Sequence, residues 1–240
     1  MWPIYIKLTH SVFLKKKIHK MIPAKFLSKI GVHKLEIEGV KVKASHVTDN
    51  TSVIDHRIKQ LRASLNKKRP VVGIDVKVTV EQKQQSQTSN DLLIICGGNC
   101  CLVIKLANLK DFPSSIINLL ADKKICFVGF GMYSKFEKLC NVAEVGQLAA
   151  RVLKKPNLSK WGLEELDKEV RKTVTDKEVR KTVTESKADV ATSLPGTGAG
   201  AASCPNWKAM VFSDEEMKYA IHDAYTCCVI GDKLLGMLNA

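Results

Sequence analysis

The chain has 240 residues, is 45% hydrophobic, and carries a formal net charge of +14 from 38 basic and 24 acidic side chains. That is enough for one domain of ordinary size with extensions and a sizeable core. No apolar run approaches the roughly 20 residues a membrane-spanning helix requires, which excludes an α-helical membrane protein. The charge suits a polyanionic partner, nucleic acid first, with a plain basic soluble protein as the alternative.

Residues 1–30 read as a basic extension. The first 35 residues hold eight lysines and no acid. Met1–Ile6 is too short for the apolar core of a secretory signal, and Lys7 follows it. From Gly31 to about Val80 the pattern alternates in short strand-like pieces, such as Lys34-Leu35-Glu36-Ile37-Glu38. A helix is expected near Ser52–Leu61, capped by Asn50 or Thr51. The apolar run Val71–Val80 reads as a buried strand that presents one acid, Asp75. Glu81–Asn90 is polar and Gln/Ser-rich, a loop.

Leu92–Cys96 and Cys101–Leu106 flank Gly97-Gly98-Asn99, the pattern of a hairpin turn. The Gly pair is not a phosphate loop, because no helix with a Lys-Ser/Thr signature follows. A helix over Pro113–Ala121, opened by Asp111 or Ser114, precedes a strand at Ile125–Gly129. Helices are then expected near Tyr133–Cys140 and over the amphipathic Val142–Leu153. Asp167–Thr175 reads DKEVRKTVT, and Asp176–Thr184 repeats it letter for letter. Two copies are too few for a solenoid, and a local duplication extending a surface helix or loop is the simpler reading. Val190–Pro205 is rich in Ala, Gly, Ser and Thr and reads as a loop. Periodicity returns with Trp207–Phe212 and a final helix, Asp214–Leu238. Eight cysteines show no zinc-ligand spacing, and most sit in apolar stretches. They read as reduced, buried thiols of a nuclear or cytoplasmic protein.

On the last helix, Tyr219 and Asp223 are four apart and share a face. His222 points roughly 100° away from Asp223 and reads as structural or surface. An acid on a central strand and a Tyr-x-x-x-Asp helix suggest a carboxylate metal site for phosphoryl chemistry. Taken singly, Asp75 reads as a strand-end structural acid and Tyr219 as a core tyrosine.

Four stretches carry a resemblance: VVGIDVK at 71–77, CLVIKL at 101–106, FVGFGMYSKFEKL at 127–139 and NWKAMVFSDEEMKYAIHDAYTCCVIG at 206–231. Over about 31–240 the chain resembles the 3′–5′ exonuclease domain of the DEDDy family. Within it, the chain is most similar to the Werner-syndrome-like exonucleases of plants. The resemblance implies an α/β, ribonuclease-H-like fold: a mixed five-stranded sheet with its first three strands antiparallel, flanked by helices. Residues 167–205 would then be an insertion between the second and third motifs.

In that family four acids hold two divalent ions, Mg²⁺ or Mn²⁺, and a tyrosine helps position the attacking water. Carried over, Asp75 matches the first acid and Tyr219 and Asp223 match the third motif, so Asp75 and Asp223 would be the metal ligands. Lys77 stands at the Glu position of Asp-x-Glu. Lys135, six residues after Gly129, stands at the second-motif Asp position. Lysine has no acceptor for a metal, and two ammonium groups would repel divalent ions. Glu137, two residues past Lys135 on the same helix, points elsewhere. Glu81 lies about 13 Å beyond Lys77 along an extended strand.

Three functional readings follow. The first is an exonuclease-family protein that binds nucleic acid with impaired hydrolysis. There the lysines serve as phosphate partners or as decayed positions pairing with Asp75 and Asp223. The second is an active exonuclease with a reduced site, one metal on Asp75 and Asp223. The third is an interaction module that uses 167–205 as a partner surface.

Overall fold

The computed structural model describes residues 31–47, 50–77, 92–106, 112–132, 142–181 and 211–238, together with 109, 207 and 209. The basic extension, the 133–140 helix, the 190–205 loop, Lys135 and Glu137 lie outside the described residues.

Seven strands form one mixed sheet: β1 (Val32–Ile37), β2 (Val40–Val47), β3 (Val71–Lys77), β4 (Leu92–Gly97), β5 (Cys100–Lys105), β6 (Cys126–Gly129) and β7 (Val142–Glu144). Their spatial order is β1-β2-β5-β4-β3-β6-β7. The strands β3, β4 and β5 are antiparallel in succession, and β6 and β7 add in parallel. That five-strand block matches the expected arrangement. The strand count is corrected from five to seven by the β1–β2 hairpin, whose β2 joins β5 in parallel. Its turn needs left-handed backbone, which Glu38 and Gly39 supply at φ 51° and 76°.

Helix α1 spans Thr51–Ser64, and the Asn50 side chain accepts from the Val53 amide at 3.0 Å, as its cap spacing predicts. Helix α2 spans Ser114–Leu120, with Pro113 at its cap position and Ser114 as its first residue; Asp111 lies outside the described residues. The expected helix from Val142 begins at Val145, because residues 142–144 pair with β6 first. Helix α3 is therefore Val145–Val152. Helix α4 spans Leu163–Lys181 and absorbs the first copy of the duplicated nonapeptide. Helix α5 spans Asp214–Leu238, as expected. None of these helices is long and apolar enough to cross a membrane.

Alternation along β3 divides the core. Val72, Ile74 and Val76 join a cluster with Ile54, Ile58 and Leu61 of α1 on one face. Val71, Gly73, Asp75 and Lys77 face the other side, where α5 packs. Ile94, Cys96, Ala220 and Ala224 are wholly buried there. Gly73 permits that approach: a Cβ at this position would stand 1.8 Å from the Ala224 carbonyl oxygen.

Candidate functional site

The close contact at Gly73 sets α5 directly over β3. Two residues further along β3, Asp75 is buried and 2% exposed. The first turn of α5 is fixed by a capping box. Glu216 accepts from the Ser213 amide at 2.8 Å, and the Ser213 hydroxyl accepts from the Glu216 amide at 3.2 Å. From that start the helix carries Tyr219 and Asp223 to the end of β3. Three of the residues singled out by sequence, with Lys77, are thus brought together.

The Lys77 ammonium lies 2.9 Å from Oδ2 of Asp75 and makes a direct ion pair with Oδ2 of Asp223. Its side chain is 18% exposed. Burial pulls its pKa down, but the two carboxylates outweigh burial and raise it above the ordinary lysine value. It is a stable cation held between the two acids that would serve as metal ligands. The Lys77 nitrogen also lies 6.0 Å from the centre of the Tyr219 ring. Tyr219 is half-exposed, not a core residue, and its ring stacks on Trp207 with centroids 6.0 Å apart.

His222 departs from the expectation drawn from helical angles. Its Nδ1 lies 3.1 Å from Oδ1 of Asp223. That bond, then Lys77, holds the Asp223 carboxyl well below the usual range against the opposing effect of burial. The same bond raises the His222 pKa. Adjacent side chains on a helix diverge at Cβ, but a long ring can still reach a neighbouring carboxylate; angle alone hid this contact. Asp223 therefore has a partner at each oxygen, the Lys77 ammonium at Oδ2 and the His222 ring at Oδ1.

Glu144 was also missed, because residues 142–153 read as one helix. It accepts from the Gly131 amide at 2.9 Å and the Met132 amide at 3.2 Å. Both amides begin the segment that leads to Lys135. Glu144 thus holds the Gly131–Met132 backbone and has both oxygens engaged.

The described residues do not fit a two-metal site. No three His, Cys, Asp or Glu side chains among them gather to hold an ion. The position between Asp75 and Asp223 is filled by an ammonium, which cannot coordinate a metal.

No protein-family model matches the chain, and no curated protein matches it in sequence. Solved structures do match in fold. One is Escherichia coli RNase D, an exoribonuclease involved in structured RNA processing, at 15% identity and a TM-score of 0.50. The match covers 82% of this chain and 45% of that one. Another is the catalytic core of RRP6 from Trypanosoma brucei, at 12% identity and a TM-score of 0.50, covering 91% of this chain and 55% of that one. The chain spans about half the length of these proteins. Its fold is ribonuclease-H-like, a mixed α/β sheet flanked by helices, as in these exonuclease structures.

Proposed function

We propose that this chain is a degenerate 3′–5′ exonuclease-family domain that binds nucleic acid and has lost most or all two-metal hydrolysis. The observation that carries the reading is the Lys77 ammonium between Asp75 and Asp223. Four carboxylates would give such a site a formal charge of −4. Here the described pair of aspartates is met by the Lys77 ammonium, with His222 bonded to Asp223, and the added positive charge lowers the pull of the site on a divalent cation. The RNase D that shares the fold is an exoribonuclease, which supports a nucleic-acid partner, DNA or RNA. The quoted motifs support kinship with the plant Werner-like branch, and the buried cysteines fit a nuclear or cytosolic setting.

The test is degradation of 3′- and 5′-labelled single strands and recessed duplexes with Mg²⁺ or Mn²⁺, using the natural protein and a Lys77→Glu/Lys135→Asp variant. A silent natural protein and a variant that cuts from the 3′ end would confirm an intact groove with a decayed metal site. Cleavage by the natural protein that disappears in Asp75→Ala would sink the reading in favour of a working one-metal enzyme. Absence of nucleic-acid binding would favour an interaction module.

A further inference from the structure

Among the described residues, acidic groups stand around the place where Asp75 and Asp223 meet. The helix that frames that site opens on Asp214, Glu215 and Glu216. Glu144 holds the neighbouring loop, and Glu164 lies near enough to help raise the His222 pKa. Lys77 is consumed by two carboxylates. Among the described residues, a group of exposed lysines lies at the other end of the strands.

Two loops meet there. One, Asn66–Pro70, enters β3; the other, Asp122–Ile125, enters β6. The strands are parallel neighbours, with Val71 opposite Cys126, and the Cys126 amide donates to the Pro70 carbonyl at 2.9 Å. The loops are therefore stitched side by side. Each is set by an Asx turn: Asn66 accepts from the Lys68 amide at 3.0 Å, and Asp122 from the Lys124 amide at 3.1 Å. Lys67, Lys68, Lys123 and Lys124 are all exposed. None makes an ion pair with a carboxylate among the described residues, although Lys124 acts on Asp122 at longer range and helps to lower its pKa. Asp122, the acid of these loops, is taken by Arg62 at 2.6 Å. At about 3.3 Å per residue, β3 puts this patch about 20 Å from Lys77.

We propose that these two loops form a second nucleic-acid contact, a docking site for the phosphodiester backbone at the sheet edge opposite the candidate site. This rests on the nucleic-acid-binding reading above. Four unpaired ammonium groups on two rigid, adjoining turns match the repeating charge of a phosphate chain. The loops carry no aromatic side chain for base stacking, so the contact is independent of sequence. They also lack an exposed apolar side chain to enter a bilayer, since Ile125 is buried.

A plainer role for basic residues here is to complement helix ends, because α1, α2 and α5 all finish at this edge. Arg62 does that, donating to the Asn118 carbonyl at 3.0 Å. The four lysines lie beyond the helices and make no such bond among the described residues. The two roles separate by experiment.

The full chain is titrated with a labelled 20-nucleotide single strand over a series of salt concentrations, as the natural protein, as Lys67→Gln/Lys68→Gln/Lys123→Gln/Lys124→Gln, and as Tyr219→Ala. The N-terminal lysines are common to all three. For the quadruple variant, the expected result is a loss of about 10- to 100-fold in affinity near physiological salt, and a slope of log affinity against log salt shallower by about 3. Its melting temperature should be unchanged. Binding by the natural protein that the quadruple variant retains in full would overturn this inference and leave the reading of the candidate site standing. A lowered melting temperature with unchanged affinity would assign the lysines to the helix ends and overturn it equally. No binding by the natural protein would overturn both. Equal loss of binding to vesicles of anionic lipid, with nucleic acid unaffected, would replace the partner and also refute the proposal.

Discussion

Lys77 and Asp223, 146 residues apart in sequence, form a direct ion pair that ties the end of β3 to the third turn of α5. Asp75 shares the same ammonium from the strand side. The lysine thus occupies the place where a carboxylate-bound cation would sit, but it is covalently part of the strand. Its charge cannot leave, and its geometry offers no open coordination position.

Removing that tether should be costly. Lys77→Met leaves the buried Asp75 and the depressed carboxyl of Asp223 facing each other without this ammonium. Loss of one partner from a buried ion pair destabilises by about 3 kcal/mol, read as a lowered urea midpoint at pH 7. Millimolar Mg²⁺ or Mn²⁺ should recover part of it, because two carboxylates freed of an ammonium gain affinity for a divalent ion. A ligand at 100 times its Kd would return about 2.7 kcal/mol. An unchanged midpoint in Lys77→Met would show that desolvation cancels the attraction.

Two histidines should give stability opposite dependences on pH. His46 is held down to about 4 by burial, then by Lys105 and His33, while its ring packs on Phe212 with centroids 4.4 Å apart. Its pKa is lowered on folding, so the unfolded chain takes up the proton first. Stability therefore falls as pH drops from about 6.5 towards 4, on the order of 2–3 kcal/mol in all. His222 is raised by Asp223, so its contribution is complete below about 6.5 and is lost as pH rises through its folded value. Asp223, depressed, contributes above about 4 and loses its contribution in acid. Urea midpoints across pH 4 to 8 should show the acid-side decline reduced in His46→Leu and the alkaline-side decline reduced in His222→Gln. Parallel profiles for all three proteins would contradict these assignments.

The sheet's central block was legible because β3, β4 and β5 are largely apolar runs, the first set off by a polar stretch and the last two joined by a Gly-Asn turn. Asp75 stood out for the same reason: it is an acid inside an otherwise apolar run. The contact of Lys77 with both aspartates was legible only as an alternative, because sequence gives the substitution without the side-chain path. His222 escaped notice because helical angle describes where Cβ points, and a ring reaches further. Glu144 escaped because a three-residue strand has too short a pattern to separate from the helix that follows it. The residues of β1 and β2 read as strand-like pieces in the sequence, but the resemblance supplied a sheet of five strands and gave them no place in it.

The site also depends on a residue with no side chain. Gly73→Ala would drive a Cβ to 1.8 Å from the Ala224 carbonyl and 2.8 Å from the Cys228 amide nitrogen, both helix backbone. Neither atom can rotate away, so α5 must lift from β3. The expected cost is about 3 kcal/mol or more, seen as a large drop in melting temperature. Gly39→Ala has no atom within 4 Å of its new Cβ and meets only the strain of a φ of +76°. It should cost about 1 kcal/mol. Equal effects of the two substitutions would refute the close-approach argument.

Tyr219 tests the groove without touching the core. It is 53% exposed, and its ring is backed by Trp207 and lies beside Lys77. A braced, half-exposed aromatic face is suited to stacking a base. Tyr219→Ala should weaken single-strand binding by about 1–3 kcal/mol, the usual range for one stacked base, roughly 10- to 100-fold. Tyr219→Phe, which keeps the ring and removes the hydroxyl, should retain the affinity. Melting temperature should move little in either, because the ring is half in solvent. If Tyr219→Phe loses binding as fully as Tyr219→Ala, the hydroxyl rather than the stacking face is the contact, and the tyrosine belongs with the family's water-positioning residue.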